Sequence, residues 1–166
     1  MKILGIDPGL NHLGYACVEK SQQRFKVLTW GTISPPPTLS LPQKLALIFE
    51  SLKNIINKFS PDYLALEEVY TRGVGNATLK LSQAQALVLL LCGLYNLRFK
   101  TFTPKEIKKF LTQNGNAEKQ DMVSQIQWLS KHGVLSFVED FEEDGLDSHK
   151  VDALAVALLL GFELGG

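Results

Sequence analysis

The sequence predicts an α/β fold, a five-stranded mixed sheet flanked by helices. Three strand-like runs follow one another at hairpin spacing: 2–7 (KILGID), 13–19 (LGYACVE) and 25–33 (FKVLTWGTI). Two further short runs, 62–67 (DYLALE) and 98–103 (RFKTFT), alternate with segments of helical period. No internal repeat, linker or change of composition divides the chain, so residues 1–166 are read as a single domain with a core of its own.

Each element has a local reason. Pro8-Gly9 stops the first strand, Gly14 and the Ser21-Gln22-Gln23 turn space the next two, and Pro35-Pro36-Pro37 breaks the chain. From Leu41 to Phe59, apolar residues at Leu45, Leu47, Ile48, Leu52, Ile55 and Ile56 keep a helical period until Pro61 ends it. Residues 77–96 form a helix that is apolar nearly all round. One side can face the sheet; the other needs cover, which a homodimer interface would supply. Pro104 opens a helix after the fifth strand, and a further helix, 118–131, follows the Gly115-Asn116 turn. An acidic loop, 139–147, leads into a last apolar helix from Ser148 to Glu163.

The hydrophobic fraction of 45% and charged fraction of 20% are those of an ordered globular protein rather than a disordered one. Lys plus Arg total 17 and Asp plus Glu total 17, so net charge does not point to nucleic acid. The distribution says more. Glu139, Asp140, Glu142, Glu143, Asp144 and Asp147 crowd into one loop, which leaves the rest of the chain basic. Arg98, Lys100, Lys105, Lys108, Lys109 and Lys119 fall close together in sequence, a pattern suited to a phosphate backbone. Cys17 and Cys92 lie in apolar elements and read as buried thiols of a reducing cytosol. No charged segment followed by an apolar one opens the chain, and the longest apolar run, Ala86 to Tyr95, is too short to span a bilayer. The expectation is a cytoplasmic protein that has no membrane partner.

Four polar residues stand against this apolar background. Asp7 and Glu67 end strands, and His149 and Asp152 are an i, i+3 pair opening the last helix. Ligands of open sheets collect beyond the carboxyl ends of strands. If the first and fourth strands are parallel neighbours, Asp7 and Glu67 meet there, and the last helix can bring His149 and Asp152 to the same place. Buried carboxylates are costly unless a cation meets them. Carboxylates with one imidazole suit Mg²⁺ or Mn²⁺. Two such ions about 4 Å apart can clamp a phosphodiester between an attacking water and the leaving oxygen, with Asp7 as the bridging ligand. Plainer roles exist for each residue: Asp7 as a turn former before Pro8-Gly9, Asp152 as a helix-start charge, His149 as an exposed histidine, and one of the Glu67-Glu68 pair as a surface charge.

Gly5-Ile6-Asp7-Pro8-Gly9 with Gly14-Tyr15, and Leu64-Ala65-Leu66-Glu67-Glu68-Val69-Tyr70, resemble the RuvC family of Holliday-junction resolvases. So do Leu79-Lys80-Leu81-Ser82-Gln83-Ala84, Ala117-Glu118-Lys119 and Asp152-Ala153-Leu154-Ala155-Val156-Ala157, in the family's order and over nearly the whole chain. The resemblance implies a ribonuclease-H-like fold, a homodimer, and paired symmetric nicking of four-way junction DNA in recombination and repair. It implies two Mg²⁺ ions per site, with Mn²⁺ able to substitute. Asp7, Glu67 and Asp152 would hold metal with His149, Lys119 would reach the scissile phosphate, and Lys108 would lie near the DNA backbone. Tyr70 matches an aromatic used near the junction centre; Arg72, Lys80, Lys105 and Lys109 complete the candidate DNA contacts. Many members carry aspartate where this chain has His149, and others carry histidine. An imidazole is the softer ligand and tilts preference toward Mn²⁺. Leu13, which replaces a common polar residue, reads as packing.

Other classes fit less well. Sugar kinases and actin-like ATPases share the opening strand and Asp-x-Gly turn, but need a second repeated domain and another glycine-rich phosphate loop. Short ribosomal-RNA-processing nucleases share the first motif only. A junction-binding protein without catalysis would have little reason to keep three core acids and Lys119. The cleavage sequence, the working metal and the attendance of a branch-migration motor complex are not written in the chain.

Overall fold

Strand formation here follows from runs of β-branched and apolar residues whose alternate side chains enter two different cores. The computed structural model describes residues 1–68, 75–139 and 147–165. Its strands are β1 (Lys2–Asp7), β2 (Leu13–Ser21), β3 (Arg24–Ile33), β4 (Tyr63–Glu67), β5 (Arg98–Phe102) and β6 (Leu135–Phe137). Its helices are α1 (Leu41–Phe59), α2 (Asn76–Tyr95), α3 (Pro104–Thr112), α4 (Lys119–Lys131) and α5 (Ser148–Glu163).

The strands form one sheet in the order β5-β4-β1-β2-β3-β6. β1 lies parallel to β4 and antiparallel to β2, so the sheet is mixed, as expected. The expected count of five is corrected to six. β6 was missed because it has only three residues, and parallel pairing with β3, far away in sequence, is what makes it a strand.

Alternation sorts the side chains. Leu4, Ile6, Cys17, Leu64 and Leu66 point into the core beneath α1 and α2. Ile3, Ala16, Val18 and Ala65 point into the other core, with α3, α4 and α5. Asp7 and Glu67 continue the second set, two residues beyond Gly5 and Ala65. Glu68 falls on the opposite parity, which is the physical reason for choosing Glu67 over its neighbour.

α5 is the most deeply set helix. Every residue from Ala153 to Gly161 is buried, since the sheet covers one side and α3 and α4 the other. Its approach to the sheet is close. A Cβ on Gly5 would lie 2.1 Å from the Ala153 carbonyl oxygen, and one on Gly14 would lie 2.0 Å from that of His149. The two bare backbones let α5 settle over β1 and β2.

α2 divides as its composition suggests: Ala84, Leu87, Val88 and Leu91 are buried on the sheet, while Leu79, Leu90 and Leu94 are exposed. Cys17 and Cys92 are buried and unpaired. Among the described residues no helix is long and apolar enough to cross a membrane.

Candidate metal centre

Asp7 is the last residue of β1 and Glu67 the last of β4, and the parallel register Ile6↔Leu66 sets these two ends side by side. Asp7 also pairs across to Gly14 of β2. Because Gly14 has no side chain, the first turn of α5 comes down directly over that pair and delivers Asp152. One carboxylate oxygen from each of Asp7, Glu67 and Asp152 lies within 4.8 Å of the others.

His149 stands at the edge of this group. Its Nδ1 is 3.1 Å from Asp7 Oδ2, and its side chain is 39% exposed against 16% for Asp7. The helix start that carries it is fixed by Asp147, whose side chain accepts the His149 backbone N–H at 2.8 Å. Asp147, the last member of the acidic loop, is the N-cap of α5. Asp140, Glu142, Glu143 and Asp144 lie outside the described residues.

Burial governs the charge state. It lifts Asp7 to about 7, a hydrogen bond with Glu67 opposing the rise and the charges of Asp152 and Asp147 adding to it. Glu67 is pushed up to about 8 by burial, then by the charge of Asp7 and its hydrogen bond, with Lys108 and His149 in opposition. Burial and the charge of Glu67 raise Asp152 to about 7 against His149, Lys108 and Lys119. Without a cation, the cluster keeps protons at neutral pH. A hard divalent cation answers the same need, and the set of carboxylate oxygens with one adjacent imidazole fits Mg²⁺ or Mn²⁺.

A cleft of about 470 Å³ opens over the acids, walled by Lys80 of α2, Lys119 at the start of α4, and the loop 8–12. Lys108 lies near enough to act on Glu67 and Asp152. Lys105 and Lys109 are exposed on α3 and do not line the cleft. The basic group seen in sequence is therefore divided. Arg98 pairs in register with Tyr63, at the far end of β4 from Glu67, and Lys100 is engaged by Glu163. Tyr70 and Arg72 lie outside the described residues. Sequence reasoning missed His12, which lines the cleft and stacks on His149. Nothing local marks it, because the contact is made only in the tertiary structure.

The model of the family "Crossover junction endodeoxyribonuclease RuvC" matches residues 3–159. A protein of that description from Chloroherpeton thalassium is 34% identical over 95% of this chain and 80% of its own length. One from Alkaliphilus oremlandii is 35% identical over 95% of this chain and 91% of its own. Among solved structures, T. thermophilus RuvC in complex with a Holliday junction substrate superimposes with a TM-score of 0.84. It is 25% identical, over 99% of this chain and 94% of the other.

Proposed function

The chain belongs to the RuvC family of crossover junction endodeoxyribonucleases, and from that membership we propose how its own residues resolve four-way DNA junctions. It is a metal-dependent nuclease of ribonuclease-H-like fold. The observation that carries the assignment of the site is the convergence of Asp7, Glu67 and Asp152 at the carboxyl ends of β1 and β4.

Asp7, Glu67 and Asp152 would hold the metal, with His149 as a fourth ligand. Two Mg²⁺ ions, or Mn²⁺ in their place, would supply an activated water and a stabilised leaving oxygen. The remaining work is the protein's. Lys119, in the wall of the cleft, and Lys108, near Glu67 and Asp152, offset the charge that gathers on the phosphate during displacement. Lys80 holds the strand across the cleft, and Lys105 and Lys109 extend the phosphate track along α3. Tyr70 and Arg72 are read as junction contacts on the strength of the resemblance alone.

A homodimer is supported by α2. Leu79, Ala86, Leu90, Gly93 and Leu94 recur at helical spacing along its outer side and are exposed. Beside them a groove of about 520 Å³ runs between α1 and α2, lined by Leu45, Phe49, Leu87 and Leu90. Two copies joined by a two-fold axis would present two equivalent sites to a junction with two equivalent strands. Residues 1–166 are read as one endonuclease domain, since both core layers share one sheet. Its buried, unpaired cysteines suit the cytoplasm.

The test is cleavage of a labelled four-way junction with Mg²⁺, Mn²⁺ or chelator, beside a linear duplex and the Asp7→Asn variant. Paired symmetric nicks confined to the junction, and abolished by chelator and by the substitution, are expected. Tight junction binding with no cleavage under either metal would overturn the catalytic reading.

A further inference from the structure

The loop 8–12 carries a histidine that the established chemistry does not use. His12 stacks on His149, with ring centroids 5.4 Å apart and planes inclined by 25°, a separation at which offset rings attract one another. His12 Nδ1 is 2.8 Å from Ser34 Oγ, just past the end of β3.

The loop behind His12 is firmly placed. A Cβ on Gly9 would lie 2.3 Å from the His12 carbonyl oxygen, so the turn closes tightly only because glycine is there. Asn11 Oδ1 accepts from Lys44 Nζ of α1 at 3.3 Å. His12 is thus suspended from a frame of β1, β3 and α1. His149 rises from a different element, α5, and touches the acids through the 3.1 Å contact of Nδ1 with Asp7. A ring held at one nitrogen can still swing about its side-chain torsions. The flat face of His12 lies against that ring.

We propose that His12 is a positioning residue for His149: the ring stack, oriented by Ser34, fixes the plane of the His149 imidazole against the acid cluster. The proposal rests on the reading of His149 as a metal ligand. Ligating histidines are commonly oriented by a hydrogen bond to the second ring nitrogen. In this chain a neighbouring ring face does that work, and two histidines on separate elements form one unit.

The test compares the full-length protein with His12→Ala, His12→Phe and His149→Ala. Mn²⁺ affinity is measured calorimetrically without DNA, the His149 ring resonances are recorded in metal-free protein, and junction cleavage is resolved into kcat and KM. His12→Ala is expected to weaken Mn²⁺ binding by about 10-fold, the scale at which such supporting groups act. It should also move the His149 resonances and lower kcat with KM little changed. His12→Phe, which keeps a flat ring, should recover most of the loss. Unchanged affinity and resonances in His12→Ala, or a Phe variant as impaired as the Ala one, would overturn the positioning role. His149→Ala with full Mn²⁺ affinity would instead remove the ligand reading beneath it.

Discussion

Asp7, Glu67 and Asp152 stand in the folded protein at about 7, 8 and 7, against ordinary values of 3.8, 4.5 and 3.8. The folded chain therefore holds more protons than the unfolded one between about pH 4 and pH 8, and its stability falls as pH rises through that window. The melting temperature of metal-free protein should drop between about pH 5 and pH 8, and saturating Mn²⁺ should restore more at the upper end. A flat profile in the absence of metal would contradict the burial of the cluster. Asp7→Asn should abolish cleavage while raising the metal-free melting temperature near pH 8, since it removes one of three crowded acids. These acids were legible in the sequence because they stand against apolar elements; alternation set Glu67 and Glu68 on opposite faces, and the family resemblance favoured Glu67. His12 was not legible, because an exposed loop histidine acquires meaning only from a ring delivered by residue 149.

At the scale of elements, the site depends on how closely α5 lies on β1 and β2. Gly14→Ala would drive a methyl group into the His149 carbonyl, 2.0 Å away, and the helix start would have to retreat. The expected cost is about 1–3 kcal/mol by overpacking, read as a lower melting temperature by calorimetry, together with weaker Mn²⁺ binding. Loss of stability with metal affinity intact would mean that α5 adjusts without disturbing the acids. Five strands and five helices could be read from periodicity and from breakers such as Pro8-Gly9, Pro61 and Pro104. β6 could not. Leu135-Ser136-Phe137 alternates over too short a span, and only its pairing with Phe25, Lys26 and Val27 defines it.

At the scale of the whole molecule, the outer stripe of α2 is the surface proposed to meet a second copy. Leu90 and Leu94 are 55% and 62% exposed, which is much apolar area to leave in water on one helix. Leu90→Arg should convert a dimer to a monomer by analytical ultracentrifugation, with circular dichroism unchanged and paired nicking lost. A wild-type chain that sediments as a monomer at micromolar concentration would defeat that assignment. The sequence disclosed an all-round apolar helix but not which side faced outward, since both sides are similarly greasy. The central position of α5 has a further consequence, for biosynthesis. The helix that fills the middle of the molecule is synthesised after all the strands it covers. The acid cluster joins residue 7 to residue 152, so a nascent chain cannot assemble it until synthesis has passed residue 152. A chain broken off before Ser148 would lack both the cover for its sheet and the third acid of the cluster.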